Sequence, residues 1–167
     1  MKNQELPVDI TLLLEELDAP PELHKHLRVV YSAASELLES IHSEWPGLRT
    51  DNQLVLWGAA IHDIGKVLHP NELSEPGDQH LEAGYHLLLE KGFSRKLAQI
   101  ALVHEHWNHP ERSLEELLVS LSDLIWNGIR NNQLEEIIIG RIAEKTHAGF
   151  WDVYLKMDPI LEKATEV

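Results

Sequence analysis

Apolar residues recur along almost the whole chain at the three- and four-residue spacing of a helix face, and no run alternates apolar and polar positions as a half-buried strand would. The pattern predicts an all-α protein, a single bundle of about six to eight helices. A short helix is expected over 8–17, stopped by Asp18 and the pair Pro20, Pro21. The next starts at those prolines and runs to about Trp45, where Pro46 and Gly47 end it. Thr50 with Gln53 makes a capping-box pattern for a helix reaching about Lys66. The segment 69–78 holds Pro70, Pro76 and Gly77 and reads as a loop. Asp78 can cap a helix to Lys91 that Gly92 terminates, and Ser94 can cap another through about His106, broken by Asn108, His109 and Pro110. Ser113 with Glu116 opens a helix to about Arg130, a further helix is expected over 133–147, and the tail from Gly149 reads as one more. The expected organisation is an N-terminal helix within 1–19, a core over 20–132, and C-terminal helices over 133–167 packing on that core.

Composition changes the picture mainly by exclusion. With 167 residues, 43% hydrophobic and 25% charged, the chain suits one globular domain. It contains no cysteine, so disulfides, thiolate nucleophiles and thiolate zinc sites drop out, and any metal must be held by nitrogen and oxygen. That also fits a reducing cytoplasm, the expected location. Acidic residues outnumber basic ones 28 to 14, a net charge of -14, which argues against binding duplex nucleic acid. The apolar run 11–14 is closed at once by Glu15 and Glu16, unlike a signal peptide. The longest uncharged apolar stretch, 54–61, falls far short of the roughly 18 residues of a membrane span. No membrane partner is expected, and the chain is read as a monomer or homodimer.

Eleven histidines in such a chain raise the question of a metal, although most lone histidines are surface or satisfied core residues. Spacing rejects some pairings. His24 and His26 lie two apart on a helix and diverge, as do His80 and His86, six apart. The stretch from His104 to His109 superficially evokes the zinc-protease helix, but that motif needs histidines at i and i+4, and position 108 is asparagine. His42, His69, His86 and His147 read as surface or structural. The strong feature is His62-Asp63-Ile64-Gly65-Lys66 at the end of an otherwise apolar helix. A buried histidine and aspartate there need either each other or a cation. Imidazole plus carboxylate without sulfur suits Mn, Fe, Co, Ni, Zn or Mg.

The order of residues around this doublet resembles the HD-domain superfamily of metal-dependent phosphohydrolases. The early-helix histidine of that family matches His26, followed by Val30 and Ala34; the doublet matches His62-Asp63 in its His-Asp-Ile-Gly form; the late aspartate matches Asp123 in Leu121-Ser122-Asp123-Leu124. His80, with Gly84 four residues on, and His104 resemble the additional histidines of the binuclear branch. The sequence departs from the cyclic-dinucleotide enzymes, because Glu105 separates His104 from His106 and no Gly-Tyr-Pro follows, which argues against cyclic-di-GMP as substrate.

The resemblance implies that His26, His62, Asp63 and Asp123 hold one divalent metal and that Asp63 bridges to a second bound by His80 and His104. The implied reaction is hydrolysis of a phosphate ester of a nucleotide or other small phosphorylated metabolite by metal-activated hydroxide. If one metal binds, His80 and His104 instead contact phosphate or protonate the leaving group. Superfamily members with binuclear iron that oxygenate small polyols or phosphonates supply the alternative reading, and an inactive signalling or scaffold domain a third. Around the ligands, Lys66 reads either as offsetting phosphate charge in catalysis and binding or as a solvated helix-end cation. Arg130, seven residues after Asp123, is the preferred phosphate anchor, against a surface salt bridge. Trp107 and Trp126 either stack on a base or belong to the core, and His106 is a neighbouring substrate contact.

Overall fold

The computed structural model describes residues 4–166. Among them lie eight α-helices and two 3₁₀ turns, with no strand. The helices are α1 (Val8–Glu16), α2 (Pro21–Glu44), α3 (Asn52–Ile61), α4 (Gln79–Glu90), α5 (Arg95–Val103), α6 (Leu114–Ile125), α7 (Asn132–Thr146) and α8 (Phe150–Thr165). The 3₁₀ turns, Ile64–Val67 and Pro70–Leu73, lie between α3 and α4. The protein is all-α, as its periodicity predicts. No helix among the described residues is long and apolar enough to cross a membrane.

The apolar α3 forms the centre. Leu54, Val55, Ala59, Ala60 and Ile61 are buried, and the helix packs against α2, α5 and α6. A helix apolar on all sides has no solvent face to offer, so burial there is its stable placement. Around it α2 inserts Leu23, Leu27, Val30, Ala34, Leu37 and Ile41, a stripe at helical spacing. Ile10, Leu13 and Leu14 of α1 and Val153, Met157 and Leu161 of α8 join the same continuous core.

Several boundaries differ from expectation for local reasons. Thr50 does not cap α3: its hydroxyl donates to Asn52 Oδ1 at 2.6 Å, and Asp51, one residue later, accepts from the Leu54 amide at 3.0 Å. The helix stops at Ile61 rather than near Lys66, and the chain tightens into the first 3₁₀ turn. Asp78 stands at the N-cap of α4 but accepts no capping hydrogen bond. The Glu72 carboxylate, from the second 3₁₀ turn, accepts from the amides of Gln79 and His80 instead, at 3.2 and 3.0 Å. The α5 helix ends at Val103, three residues early, where Ser120 Oγ of α6 donates to the His104 carbonyl at 2.7 Å. The α6 helix ends at Ile125, and Gly128 at φ 71° turns the chain away before Arg130. The Ser113–Glu116 capping box and the Ser94 cap form as expected.

Candidate metal centre

Six side chains from five places in the bundle meet at the C-terminal end of α3. His26 comes from α2, His62 and Asp63 from the turn after α3, His80 from α4, His104 from the end of α5, and Asp123 from α6. Glycine makes the convergence possible. A Cβ on Gly65 would run into the carbonyl oxygen of His80 and lie 2.6 Å from the Gly84 amide nitrogen, and a Cβ on Gly84 would lie 3.1 Å from the Gly65 nitrogen. The two glycines let the turn carrying Asp63 lie backbone to backbone against α4.

The donors form two sets joined by one carboxylate. In the first, Nε2 of His26 and His62 stand 3.1 Å apart, and each is 3.3 Å from Asp123 Oδ1; Asp63 Oδ2 lies 3.1 Å from His26 Nε2 and 3.7 Å from His62 Nε2. In the second, Asp63 Oδ1 faces Nε2 of His80 at 3.3 Å and of His104 at 3.4 Å, with Glu105 Oε1 3.3 Å from the former and 3.9 Å from the latter. Three of the rings are fixed from behind through Nδ1: His62 by the Ala59 carbonyl at 2.9 Å, His104 by the Ala101 carbonyl at 3.1 Å, and His80 by Glu72 Oε2 at 2.6 Å. In the neutral tautomer this leaves each Nε2 lone pair pointing inward.

The fit to a cation rests on atoms that the protein leaves bare. Asp63 Oδ1, His80 Nε2 and His104 Nε2 are buried and make no hydrogen bond. Each such group costs on the order of 1–3 kcal/mol when left unsatisfied. All three converge, and spacings of 3–4 Å between donors match ligands that share one ion through bonds of about 2.1 Å. Nitrogen and carboxylate oxygen, without sulfur, suit first-row divalent metals and magnesium.

Without metal, protons balance the carboxylates. Burial alone would lower His26, but hydrogen bonds and charge from Asp123 and Asp63 lift it to about 9. Burial likewise opposes protonation of His80, which Asp63, Glu105 and Glu72 raise to about 10. Burial works against the ionised forms of Asp63 and Asp123, yet the histidines around them hold both well below the usual carboxylate range. At pH 7.5 the metal-free chain is therefore expected to carry His26 and His80 as imidazolium, whereas a ligating Nε2 carries no proton. Metal uptake at that pH is expected to release a proton from each, and apparent affinity to rise with pH until the histidines deprotonate unaided. Titration of metal into weakly buffered protein, read with a pH indicator, measures this; uptake without proton release would contradict it.

Two carboxylates at or beside the donor sets escape sequence reasoning. Glu105 reads along the chain as an interruption between His104 and His106, but because α5 ends before it, helical spacing no longer applies and its carboxylate returns to the second donor set. Glu72 lies eight residues before His80, and no periodicity connects a turn residue to the next helix. The available signal is Gly77, whose missing side chain makes room for the Glu72 carboxylate. Only 7% exposed, Glu72 joins the start of α4 to the ring of His80. Glu72→Gln is expected to weaken metal binding at the second set by about 10- to 100-fold, with the first set little changed, because neutral Gln holds His80 less firmly. Stepwise metal titration distinguishes this from an equal loss at both sets, which would mean a general structural role.

The supporting residues divide sharply. Lys66 Nζ donates to Asp63 Oδ2 at 2.7 Å, so it stands at the centre. Trp126 sets its ring edgewise to His26, with centroids 5.4 Å apart. Trp107 and His106 line a cleft that Glu105 also borders. Arg130 does not reach the centre: its Nε and one terminal nitrogen pair with the Glu135 carboxylate at 2.8 Å, and Asp158 takes a further bond at 2.8 Å. Helical spacing from Asp123 puts Arg130 on the ligand face only if α6 continues, and it stops five residues short. Of the histidines read as structural, His42 bonds Thr50 and Asn52, and His147 ends α7 at φ 56°.

The chain matches the HD domain family over residues 23–128, a span containing all six converging side chains. It belongs to that family. The HD domain implies binding of divalent metal, and both donor sets are of the kind that could hold it. No curated protein and no solved structure matches the chain.

Proposed function

We propose that the chain is a metal-dependent phosphohydrolase acting on a phosphate ester of a nucleotide or other small phosphorylated metabolite. The observation that carries this reading is Asp63, whose two oxygens face different histidine sets and whose Oδ1 has no hydrogen bond. In this reading His26, His62, Asp123 and Asp63 would hold one ion, and His80, His104, Glu105 and Asp63 a second. Such a centre would supply the Lewis acidity that polarises a phosphoryl oxygen and acidifies water.

The chain's own groups orient and balance that chemistry. Glu72, Ala59 and Ala101 hold three imidazoles with Nε2 inward. Lys66 stands over Asp63 Oδ2, its side chain 18% exposed, where its ammonium can meet a phosphoryl oxygen and offset the incoming charge. The sequence's net charge of -14 counts the site carboxylates as free anions, and two divalent ions would return up to about four positive charges to the centre. An acidic exterior around such a centre favours small phosphorylated substrates over duplex nucleic acid.

A panel of phosphate monoesters and diesters, assayed with iron-free protein reconstituted in Mn, Co or Mg, tests the reading. Turnover under those conditions is expected, and it would exclude oxygenase chemistry as the basis of that turnover. No release of phosphate or alcohol with any of these metals, beside oxygen consumption by the iron-loaded chain, would overturn it.

A further inference from the structure

Next to the second donor set lies a cleft of about 920 Å³, bordered by α4, the end of α5 and the segment after it. Glu105 belongs to both, lining the cleft while its Oε1 lies 3.3 Å from His80 Nε2. A phosphoryl group is far smaller than this space, which is of the size that holds a whole organic ligand. We infer that the cleft is the leaving-group subsite for a phosphate ester bearing a planar ring and a second anionic group, with Trp107 taking the ring and Arg112 the anion. This rests on the phosphohydrolase reading.

The assignment follows from what the walls offer. Trp107 is half-buried, packed against the core and lining the cleft, so its indole is a supported surface on which a flat ring can stack. Arg112 is held by its Nε, which donates to the His106 carbonyl at 3.0 Å. Arg28, Arg130 and Arg141 each face a carboxylate within 4.0 Å. Arg112, like Arg49 and Arg95, has none in ion-pair range among the described residues, and of these three it is Arg112 that lines the cleft. Its terminal nitrogens are therefore free to take an anion in a forked pair. Asp78 and Glu82 stand in the α4 side of the cleft and repel anions from it. Those charges direct the second anion to the Arg112 side and disfavour longer polyanions. Arg112, rather than Arg130, is then the arginine that recognises substrate.

The test uses two probes that cannot be hydrolysed, adenosine and adenosine-5′-carboxylate, titrated calorimetrically into the full Mn-loaded chain. The carboxylate is expected to bind at least about tenfold more tightly than adenosine. Arg112→Gln should abolish that difference, Arg112→Lys should retain part of it, and Trp107→Ala should weaken both probes by about tenfold or more. Circular dichroism of each variant reads folding separately. Equal affinity for the two probes, no binding of either, or a difference unchanged in Arg112→Gln would overturn the inference. So would equal losses in the Gln and Lys variants, which would trace the effect to the Nε hydrogen bond and its loop. Hydrolysis of p-nitrophenyl phosphate and the ester panel is measured alongside. Activity without probe binding removes the subsite and leaves the phosphohydrolase reading, whereas Arg112-dependent probe binding without activity toward any ester removes the phosphohydrolase reading and with it the leaving-group role, leaving the cleft a ligand site.

Discussion

Asp63→Asn is expected to abolish metal uptake at both donor sets and to lower phosphate-ester turnover by about 10³-fold or more, while the helical circular dichroism spectrum persists. The reason is the division of labour between its two oxygens. Oδ2 faces His26 and Lys66, and Oδ1 faces His80 and His104. Asparagine is nearly isosteric, but it carries no charge and presents an NH₂ to one set, where an inward-facing lone pair is needed. A substitution confined to one set, such as His104→Ala, should leave the other able to take an ion. Uptake by Asp63→Asn at wild-type stoichiometry and affinity would contradict the shared role of this carboxylate.

Gly65→Ala is expected to have the largest effect on the fold around the centre. The added methyl group would strike the His80 carbonyl and approach the Gly84 amide, both backbone atoms of α4, so no side-chain rotation relieves it. Overpacking against backbone costs on the order of 3 kcal/mol, or about 6–12 °C in Tm for a chain of this size. The shift also separates His80 from Asp63, so metal affinity at the second set should fall with stability. Gly140→Ala is the contrasting control. Gly140 lies within α7, where an added Cβ would have nothing within 4 Å, and the substitution is expected to raise stability by about 0.5–1 kcal/mol. Thermal melts of both variants check the pair, and equal Tm values for Gly65→Ala and wild type would contradict the close approach.

These two residues also mark how far the sequence can be read. His26, His62, Asp63, His80, His104 and Asp123 are legible because each lies on or at the end of a strongly periodic apolar helix, and their order along the chain follows the HD pattern. Gly84 is legible for the same reason, as a small residue one turn from His80. Glu72 is not, because its role is to satisfy amides at the start of a helix whose formal N-cap, Asp78, looks sufficient along the chain. Glu105 and Arg112 depend on the path of the chain after α5. That path is set by Ser120, sixteen residues further on, capturing the His104 carbonyl. Arg130 fails in the opposite direction: its spacing from Asp123 suits a continuous helix, but a left-handed glycine at 128 and the carboxylates of Glu135 and Asp158 take it elsewhere. Local periodicity thus identifies the donors that helices carry, while contacts between distant turns decide which side chains complete the centre.

A carboxylate whose two oxygens face separate donor sets allows each set to take its own ion. Equilibrium dialysis of purified chain against Mn, followed by elemental analysis, measures how many are taken up. Two ions per chain are expected for the wild type; one ion or none at saturating Mn would contradict the shared role of Asp63.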